Sequence, residues 1–150
     1  MGCCHSKRAE RGERGERGER VRRGDTEDVL AQCTYDNTEP YFPSFSMGKV
    51  VKVYDGDTFH VAADDGTGHP CRFMVRMYGY DSPELRTDGG STAKNALESR
   101  ILNKIVHIEV HKVKEKYGRV LATIYDGQVN INKWMMERGY GIPYDGGKKV

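Results

Sequence analysis

Five short segments between residues 47 and 125 alternate apolar and polar side chains with the two-residue period of a β-strand. They read KVVKVY, DTFHVAA, CRFMVRMY, VHIEVHKV and RVLATIY, and polar or helical segments separate them. In CRFMVRMY, the residues Cys71, Phe73, Val75 and Met77 share one face of the predicted strand. The alternation predicts a protein built mainly from strands, with Cys71 buried at the start of the third one.

Two further segments carry helical periodicity. TAKNALESRILNKI follows the third strand, places its apolar residues at helical spacing, and has Ser91 as the expected N-cap. NINKWMMERG follows the fifth strand, with Ile131, Trp134 and Met135 on one apolar stripe that we expect in the core, and Gly139 at its end. Five strands with helices after the third and the fifth predict an α+β, mainly β fold: a five-stranded OB-fold barrel with two or three packed helices.

Composition divides the chain into three zones. Residues 1–24 contain the repeat ERGERGERGER, which has almost no apolar side chains, so we expect a flexible, positively charged tail. Residues 25–46, where Pro40 and Pro43 flank aromatic residues, are the expected linker, in extended form or partly disordered. Residues 47–150 carry the fold. The formal net charge of +2 is too small to indicate a nucleic-acid partner by itself.

Several classes of protein and site are not expected from the sequence. No apolar run approaches the length of a membrane span, and the first residues lack the apolar stretch of a secretory signal. The four cysteines form no CxxC pair, so neither a disulfide framework nor a cysteine-based metal site is expected. Because His60, His107 and His111 fall on the polar phase of the predicted strands, we expect them at the surface.

The first six residues, MGCCHS, fit the acylation pattern M-G-x-x-x-[ST]. Gly2 is the predicted myristoylation site, and Cys3 or Cys4 the predicted palmitoylation site, because one acyl chain anchors weakly and a second makes the anchor durable. The basic residues that follow favour an anionic leaflet. We expect a membrane-associated protein on the cytosolic side, and otherwise a cytoplasmic one. The alternative is that Gly2 occurs there by chance and the cysteines are free thiols.

Three polar stretches carry the candidate chemistry. They are DGDT at residues 55–58, Arg76 followed by DSPE at residues 81–84, and KYGR at residues 116–119. Each stretch alone is also typical of an ordinary turn. An EF-hand is excluded, because Phe59 stands where the third loop ligand belongs and no Glu closes the loop.

Taken in order, VYDGDTFHV, VRMYGYDSPE and KYGRVLATIY resemble the motifs of the thermonuclease family, the staphylococcal-nuclease-like domains. VNINKWMMERGYGIPY resembles the segment that follows them in the family, so the resemblance covers about residues 47–145. It implies a five-stranded OB barrel and a calcium-dependent phosphodiesterase that cuts DNA and RNA with little sequence preference and leaves 3′-phosphate ends. One departure is Ser82, where the family usually has Thr.

The resemblance also implies a calcium site. Asp57 and Asp81 would supply the hard oxygen ligands that Ca²⁺ prefers. By the family match, the backbone carbonyl of Ser82 joins them, with Asp55 nearby as a partner through water. Water completes the shell, because two carboxylates are too few. The metal would lower the pKa of a bound water molecule and offset the charge of the phosphate.

Catalytic roles follow from the same resemblance. Glu84 is the predicted general base, which orients or deprotonates the attacking water. Arg76 and Arg119 are predicted to clamp the scissile phosphate, because the guanidinium group matches phosphate geometry and stays charged. These two groups would act on the charge that grows on the equatorial oxygens of the phosphorus.

Four more residues are predicted to contact the substrate. Lys116 and Tyr117 resemble family residues that touch a terminal phosphate. Tyr144 and Lys148, in PYDGGKK, are predicted to extend the substrate groove, although Tyr-Asp-Gly-Gly is also typical of a bare turn. The expected partners are DNA and RNA, as single strands or locally opened duplex, and the membrane through the acyl chains, with no protein partner.

Two other functions compete with a nuclease. The same barrel without catalysis would be a module that binds nucleic acid or protein, since OB folds bind single strands well and a fold does not determine a function. A lipid-anchored adaptor built around the tail would leave the acidic and arginine residues unexplained. The enzyme is favoured because the five residues that the family site requires are all present: Asp57, Arg76, Asp81, Glu84 and Arg119.

Overall fold

The computed structural model describes residues 23–39, 43–112 and 118–145. The chain divides into two compact units, Met1–Pro40 and Tyr41–Val150, and each is described by itself. In the first unit, α1 spans Arg23–Ala31. The prediction of an extended segment is therefore wrong for residues 25–31. Both prolines of this segment, Pro40 and Pro43, lie beyond the end of RGDTEDVLA, so neither interrupts the helix.

The second unit is a strand-rich domain with two helices. Five longer strands form its frame: β1 (Met47–Val53), β2 (Thr58–Ala63), β3 (Cys71–Met77), β5 (Ile105–Lys112) and β6 (Val120–Asp126). Three strands of two residues each are β4 (Tyr80–Asp81), β7 (Val129–Asn130) and β8 (Ile142–Pro143). The helices are α2 (Asp88–Ile101) and α3 (Ile131–Glu137).

The five longer strands close into a barrel. Their sheet has the order β3-β2-β1-β5-β6, with β7 beyond β6, and its neighbouring strands are antiparallel. A parallel pairing of β3 with β6 joins the two ends, and Val75 lies opposite Val120 in that register. Closure leaves the long strands without a free edge. The predicted α+β, mainly β fold with a five-stranded OB barrel is confirmed.

Apolar side chains at alternate positions of the strands fill the interior of the barrel. Phe59, Val61 and Val75 are completely buried, and so are Leu97 of α2 and Met135 of α3. These side chains belong to one continuous hydrophobic core. The strand alternation predicted from the sequence is thus the alternation between the core and the outer surface.

Cys71 departs from this pattern, and the prediction that it is buried is wrong. Its side chain is exposed and its thiol is free. The core covers β3 fully only from Val75 onward, because the first half of that strand reaches the rim of the barrel. Trp134 is also less buried than we expected from its place on the apolar stripe of the helix. It packs against the edge of the core, next to Tyr140, while Ile131 and Met135 fill the interior.

The start of α2 also differs from the prediction. The N-cap is Thr87, whose side chain accepts a hydrogen bond from the amide of Gly90 at 3.0 Å, and Ser91 lies inside the helix. Asp-Gly-Gly reads as a helix breaker in the sequence, yet it forms the first turn. A Cβ atom at Gly90 would overlap the backbone of Glu84, so glycine is required there for close packing.

Asn132 ties α3 to the barrel. Its side-chain oxygen accepts from the amide of Ile124, and its side-chain nitrogen donates to the carbonyls of Tyr78 and Ala122. This buried amide therefore satisfies backbone groups of β6 and of the turn after β3. None of the helices that the structure describes combines the length and the hydropathy needed to cross a membrane.

Candidate active site

A tight turn between β1 and β2 carries the first two acidic residues. The amides of Tyr54 and Asp55 both donate to the carbonyl of Thr58, at 2.9 and 3.2 Å. The carboxylate of Asp55 accepts from the amide of Asp57 at 3.1 Å, a common way for Asp to stabilise a turn. Asp57 is only 3% exposed, whereas Asp55 is half-buried. The turn therefore directs Asp57 into the protein and leaves Asp55 beside it.

Gly56 explains why this turn can pack so closely. A Cβ atom at this position would lie 2.7 Å from the Cβ of Ala93 in α2 and 2.7 Å from the Cβ of Ser82. Both distances are shorter than real Cβ contacts, so a larger residue would push the turn outward. Glycine between the two aspartates thus lets the turn rest against the helix and the second acidic stretch.

The second acidic stretch begins in β4. Asp81 lies opposite Ile142 of β8 and is 8% exposed. The next residue, Ser82, donates two hydrogen bonds to Oδ2 of Asp57, from its amide at 2.9 Å and from its hydroxyl at 3.0 Å. The two acidic stretches, which are separate in the sequence, are therefore joined directly.

Arg76 lies between the two buried carboxylates. Its Nη2 is 2.7 Å from Oδ1 of Asp81, and its Nη1 is 3.5 Å from Oδ1 of Asp57. Its side chain is 12% exposed. Arg76 is paired with Thr58 across β2 and β3, which aims the guanidinium group at the end of the barrel where the acidic turn lies. The guanidinium group thus compensates part of the negative charge of the two stretches.

The local field remains negative. Burial, and then the negative charge of Asp57, raise the pKa of Asp55 above its usual value. Burial is also the largest cause of the raised pKa of Tyr80, followed by the charges of Asp57, Asp55 and Asp81. Within the described part of the chain, the carboxylates of Asp55, Asp57 and Asp81 lie near the guanidinium group of Arg76, and Arg86 lines the same cleft. The excess of negative charge favours a bound cation.

These residues line one open cleft of about 510 Å³. Glu84 is part of its wall, and its exposed carboxylate is accessible to water. The backbone carbonyl of Glu84 accepts from the hydroxyl of Thr87 at 2.7 Å and from the amide of Thr87 at 2.9 Å. The main chain of Glu84 is thereby fixed at the start of α2. The full lining is Tyr54, Asp55, Asp57, Arg76, Asp81, Ser82, Pro83, Glu84, Leu85 and Arg86.

The remaining predicted site residues are placed differently. Tyr144 is brought to the site by the β4–β8 pairing, and its ring centre lies 5.8 Å from Cζ of Arg76. Arg119 is half-buried directly before β6 and is not among the residues that line the cleft. The other predicted residues lie outside the described part of the chain: Gly2, Cys3, Cys4, Lys116, Tyr117 and Lys148.

Tyr54, Leu85 and Arg86 of the cleft, and one contact, were not predicted from the sequence. Tyr54, which is 53% exposed, and Arg86 both line the cleft. In the sequence, Tyr54 is next to Asp55 and Arg86 is two residues after Glu84, and this proximity could have indicated that they belong to the site. Only the backbone carbonyl of Ser82 was given a role, yet its hydroxyl donates a hydrogen bond to Asp57. A contact between residues so far apart in the chain has no sequence signature of its own.

The donor chemistry fits a hard cation only in part. Among the residues that the structure describes, no group of three or more His, Cys, Asp or Glu side chains is arranged to hold a metal ion. The buried carboxylates of Asp57 and Asp81 are the hard oxygen donors that Ca²⁺ prefers, and Asp55 lies beside them. A bound ion would therefore need the carbonyl of Ser82 and water molecules to complete its shell.

Comparison with known proteins agrees with this geometry. The family described as "Staphylococcal nuclease homologue" matches residues 74–148, which is half of the chain. That match includes Arg76, the DSPE stretch and Arg119 but begins after the DGDT turn.

Several curated relatives carry nuclease names. An "Uncharacterized endonuclease" of Escherichia coli is 30% identical over 100 residues, which cover 65% of this chain and 61% of the relative. "Micrococcal nuclease" of Shigella flexneri is 32% identical over 114 residues, covering 65% and 62%. "Thermonuclease" of Staphylococcus hyicus is 31% identical over 98 residues, covering 61% and 55%. The alignments thus span between 55% and 62% of these relatives' own lengths. With the family match over half of its length, the chain belongs to the family of staphylococcal nuclease homologues.

Proposed function

We propose that this protein is a calcium-dependent endonuclease that hydrolyses phosphodiester bonds of DNA and RNA, without preference for the sugar, to products with a 3′-phosphate. The observation that carries the proposal is the contact of Arg76 with both Asp57 and Asp81 in a cleft that also contains Glu84. A cation site beside a phosphate-binding arginine and a free carboxylate is the set of groups that metal-assisted phosphodiester hydrolysis needs.

Arg76 is the candidate phosphate ligand. A guanidinium group has five N–H donors, so Arg76 can keep its hydrogen bond to Asp81 and still donate to a phosphate oxygen. The carboxylate contacts hold the group in place before substrate arrives, and such fixed donors stabilise the charge that develops on the phosphoryl oxygens. Arg119 is proposed as the second phosphate ligand, on the basis of the family resemblance.

Asp57, Asp81 and the carbonyl of Ser82 are the residues that would hold Ca²⁺, with Asp55 acting through water. When bound, the ion would lower the pKa of a water molecule and offset phosphate charge. The chain itself keeps the carboxylates in position, because Ser82 and Thr58 each donate to Asp57. The donor geometry therefore depends on hydrogen bonds that the protein already makes.

Glu84 is the proposed general base. Its carboxylate would take a proton from the attacking water, the water oxygen would bond to phosphorus, and the bond from phosphorus to the 5′-oxygen would break. The 5′-oxygen takes a proton from solvent water and leaves as a hydroxyl, and the phosphate stays on the 3′-side. The exposed side chain on a fixed main chain suits this role, because it reaches water without displacing buried groups.

A digestion experiment distinguishes an enzyme from a binding module. Plasmid DNA and a structured RNA are incubated with the protein in calcium and, separately, in an excess of chelator. We expect cleavage of both substrates in calcium only, with 3′-phosphate ends identified by mass spectrometry of the fragments. Binding of either nucleic acid without cleavage in calcium would favour the alternative, a non-catalytic OB-fold module for nucleic acid or protein.

We further propose that an N-terminal lipid anchor places the domain at the cytosolic face of a membrane. The proposal rests on the pattern at Gly2, Cys3 and Cys4, with a myristoyl group on the glycine and a palmitoyl group on a cysteine. Mass spectrometry of the N-terminal peptide from cells tests it. A mass increase for a myristoyl group that Gly2→Ala abolishes is the expected result, and an unmodified Gly2 would contradict it.

A further inference from the structure

A cluster of basic side chains lies on the outer surface of the barrel, on strands that adjoin the acidic turn. It consists of Lys49 and Lys52 on β1, His60 on β2 and Arg72 on β3, and we call it the basic face. Lys52 is paired with His60, and Ala62 lies between Lys49 and Arg72 as the partner of both. The alternate residues of these strands fill the core, so the four side chains share the opposite surface of the sheet.

Ion pairs within the described part of the chain do not balance the charge of the basic face. Within residues 23–39, 43–112 and 118–145, Lys49, Lys52 and Arg72 take part in no ion pair, whereas Arg100 and Lys104 are both paired with Asp126. The pKa of His60 is lowered, first by burial and then by the charges of Arg72 and Lys52, and Lys52 is the strand partner of His60. A concentration of unpaired positive charge on one sheet surface attracts an anionic partner.

The basic face is continuous with the cleft. Lys52 comes two residues before Tyr54, which lines the cleft, and Arg72 comes four residues before Arg76 on the same strand. At about 3.3 Å per residue, these separations are roughly 7 Å and 13 Å along the strands. A chain that leaves the cleft past Tyr54 would therefore meet Lys52 and His60 first, and Arg72 and Lys49 after them.

We propose that the basic face binds the sugar–phosphate backbone of a single-stranded nucleic acid whose scissile phosphate occupies the cleft. This inference rests on the proposed function and extends it to a second contact region. A single strand is favoured because Tyr54 offers a half-exposed ring for base stacking between the cleft and the basic residues. A positively charged track with aromatic residues along it is how proteins bind single strands without reading their sequence.

A salt titration of binding tests the basic face independently of cleavage. The probe is a labelled single-stranded RNA of about 12 nucleotides, close to the site size of an OB fold, and binding is measured by fluorescence anisotropy in calcium. The background is Glu84→Gln, so that the probe is not consumed. Lys52→Gln/Arg72→Gln removes two charges from the basic face, and Lys94→Gln/Lys133→Gln removes two charges from the helices as a matched control.

The expected result is a change in the salt dependence. For the basic-face variant, the slope of log Kd against log salt should become shallower by about 1.4, from two lost contacts to a single strand, and affinity at low salt should fall about tenfold. The control variant should keep the slope. An unchanged slope in the basic-face variant, or an equal change in the control, would overturn the proposal. Equal urea midpoints for the two variants verify that both are folded.

A second measurement separates this proposal from the proposed function. In the background with Glu84 intact, the ratio of kcat/KM for the RNA to kcat/KM for a dinucleotide should fall about tenfold in the basic-face variant. An equal loss for both substrates would assign the residues to the catalytic site and overturn the proposal. If the parent protein cleaves nothing, the proposed function fails, and the salt titration still decides about the basic face. Loss of binding to phosphatidylserine vesicles with an unchanged RNA slope would assign the face to a membrane instead.

Discussion

Ser82 holds Asp57 through two hydrogen bonds to the same carboxylate oxygen, although 25 positions separate the two residues in the chain. The other oxygen of Asp57 accepts from the hydroxyl of Thr58 at 2.8 Å and faces Nη1 of Arg76. Both oxygens are therefore oriented by the protein itself. Such fixed carboxylates lose little freedom when a cation or a substrate binds.

Removal of the Ser82 hydroxyl should weaken this arrangement without abolishing it. In Ser82→Ala the amide still donates to Asp57, but one hydrogen bond to a buried carboxylate is lost, which costs about 1–2 kcal/mol in the free energy of unfolding. Urea unfolding measures this cost. Ser82→Thr keeps a hydroxyl and is the matched control. Equal urea midpoints for the alanine variant and the parent would contradict the importance of this bond.

Gly56→Ala should damage both stability and activity. The added methyl group would approach Ala93 and Ser82 more closely than packing allows, so the turn that carries Asp57 must move. We expect a loss of about 1–3 kcal/mol in the free energy of unfolding, together with slower cleavage. A Cβ atom added at Gly24 would have no neighbour within 4 Å, so Gly24→Ala is the control for a glycine-to-alanine change without a clash. A Gly56→Ala protein with parental stability would show that the close approach is not real.

Strand alternation predicted the strands of the barrel, because residues such as Phe59, Val61 and Val75 reach the core at every second position, whereas the closed OB topology also rested on the family resemblance. Local signals failed where close packing or chain position overrides them. Gly90 looks like a helix breaker, yet the helix begins before it so that the main chain can pass Glu84. Cys71 is on the same face of its strand as the buried Val75 and Met77, but it lies at the rim of the barrel. Periodicity alone does not reveal where along a strand the core ends.

The candidate site was predicted in its residues more than in its contacts. The motifs singled out Asp57, Arg76 and Asp81, and the structure places Arg76 within ion-pair distance of both carboxylates. That Arg76 would contact both carboxylates, and that the Ser82 hydroxyl would contact Asp57, depends on the barrel's closure and on the β4–β8 pairing. These relations are set by tertiary structure and leave no local pattern.

Arg76→Lys should separate the effect of the positive charge at this position from the effect of the guanidinium geometry. Lysine keeps a positive charge near Asp57 and Asp81 but lacks the fork of parallel N–H donors. We expect kcat/KM to fall about 10²-fold or more, as for the loss of a fixed donor to a developing oxyanion, with only a small change in the urea midpoint. Arg100→Lys on α2, where Arg100 pairs with Asp126, is the control and should keep its activity. Parental kcat/KM in Arg76→Lys would exclude a role for the guanidinium fork.

Calcium should be required and should bind weakly. Asp57 and Asp81 are only two buried carboxylates, and sites with few charged ligands and open coordination have dissociation constants of about 10⁻⁴ M or weaker. We expect cleavage to stop in chelator and to reach half its maximum in that calcium range. On the cytosolic side of a membrane, the enzyme would then wait for a rise in calcium. Full cleavage at sub-micromolar free calcium would contradict this regulation.

The chemistry assigned to the cleft depends on Glu84. Single-turnover cleavage of a single-stranded oligonucleotide in saturating calcium is measured for the parent protein and for Glu84→Gln, which is nearly identical in shape but cannot accept the proton. The side chain is exposed, so the variant should fold and bind the oligonucleotide like the parent. We expect its cleavage rate to fall by about 10²-fold or more. An equal rate in both proteins, or no cleavage by the parent, would contradict a nuclease site built from Asp57, Arg76, Asp81 and Glu84.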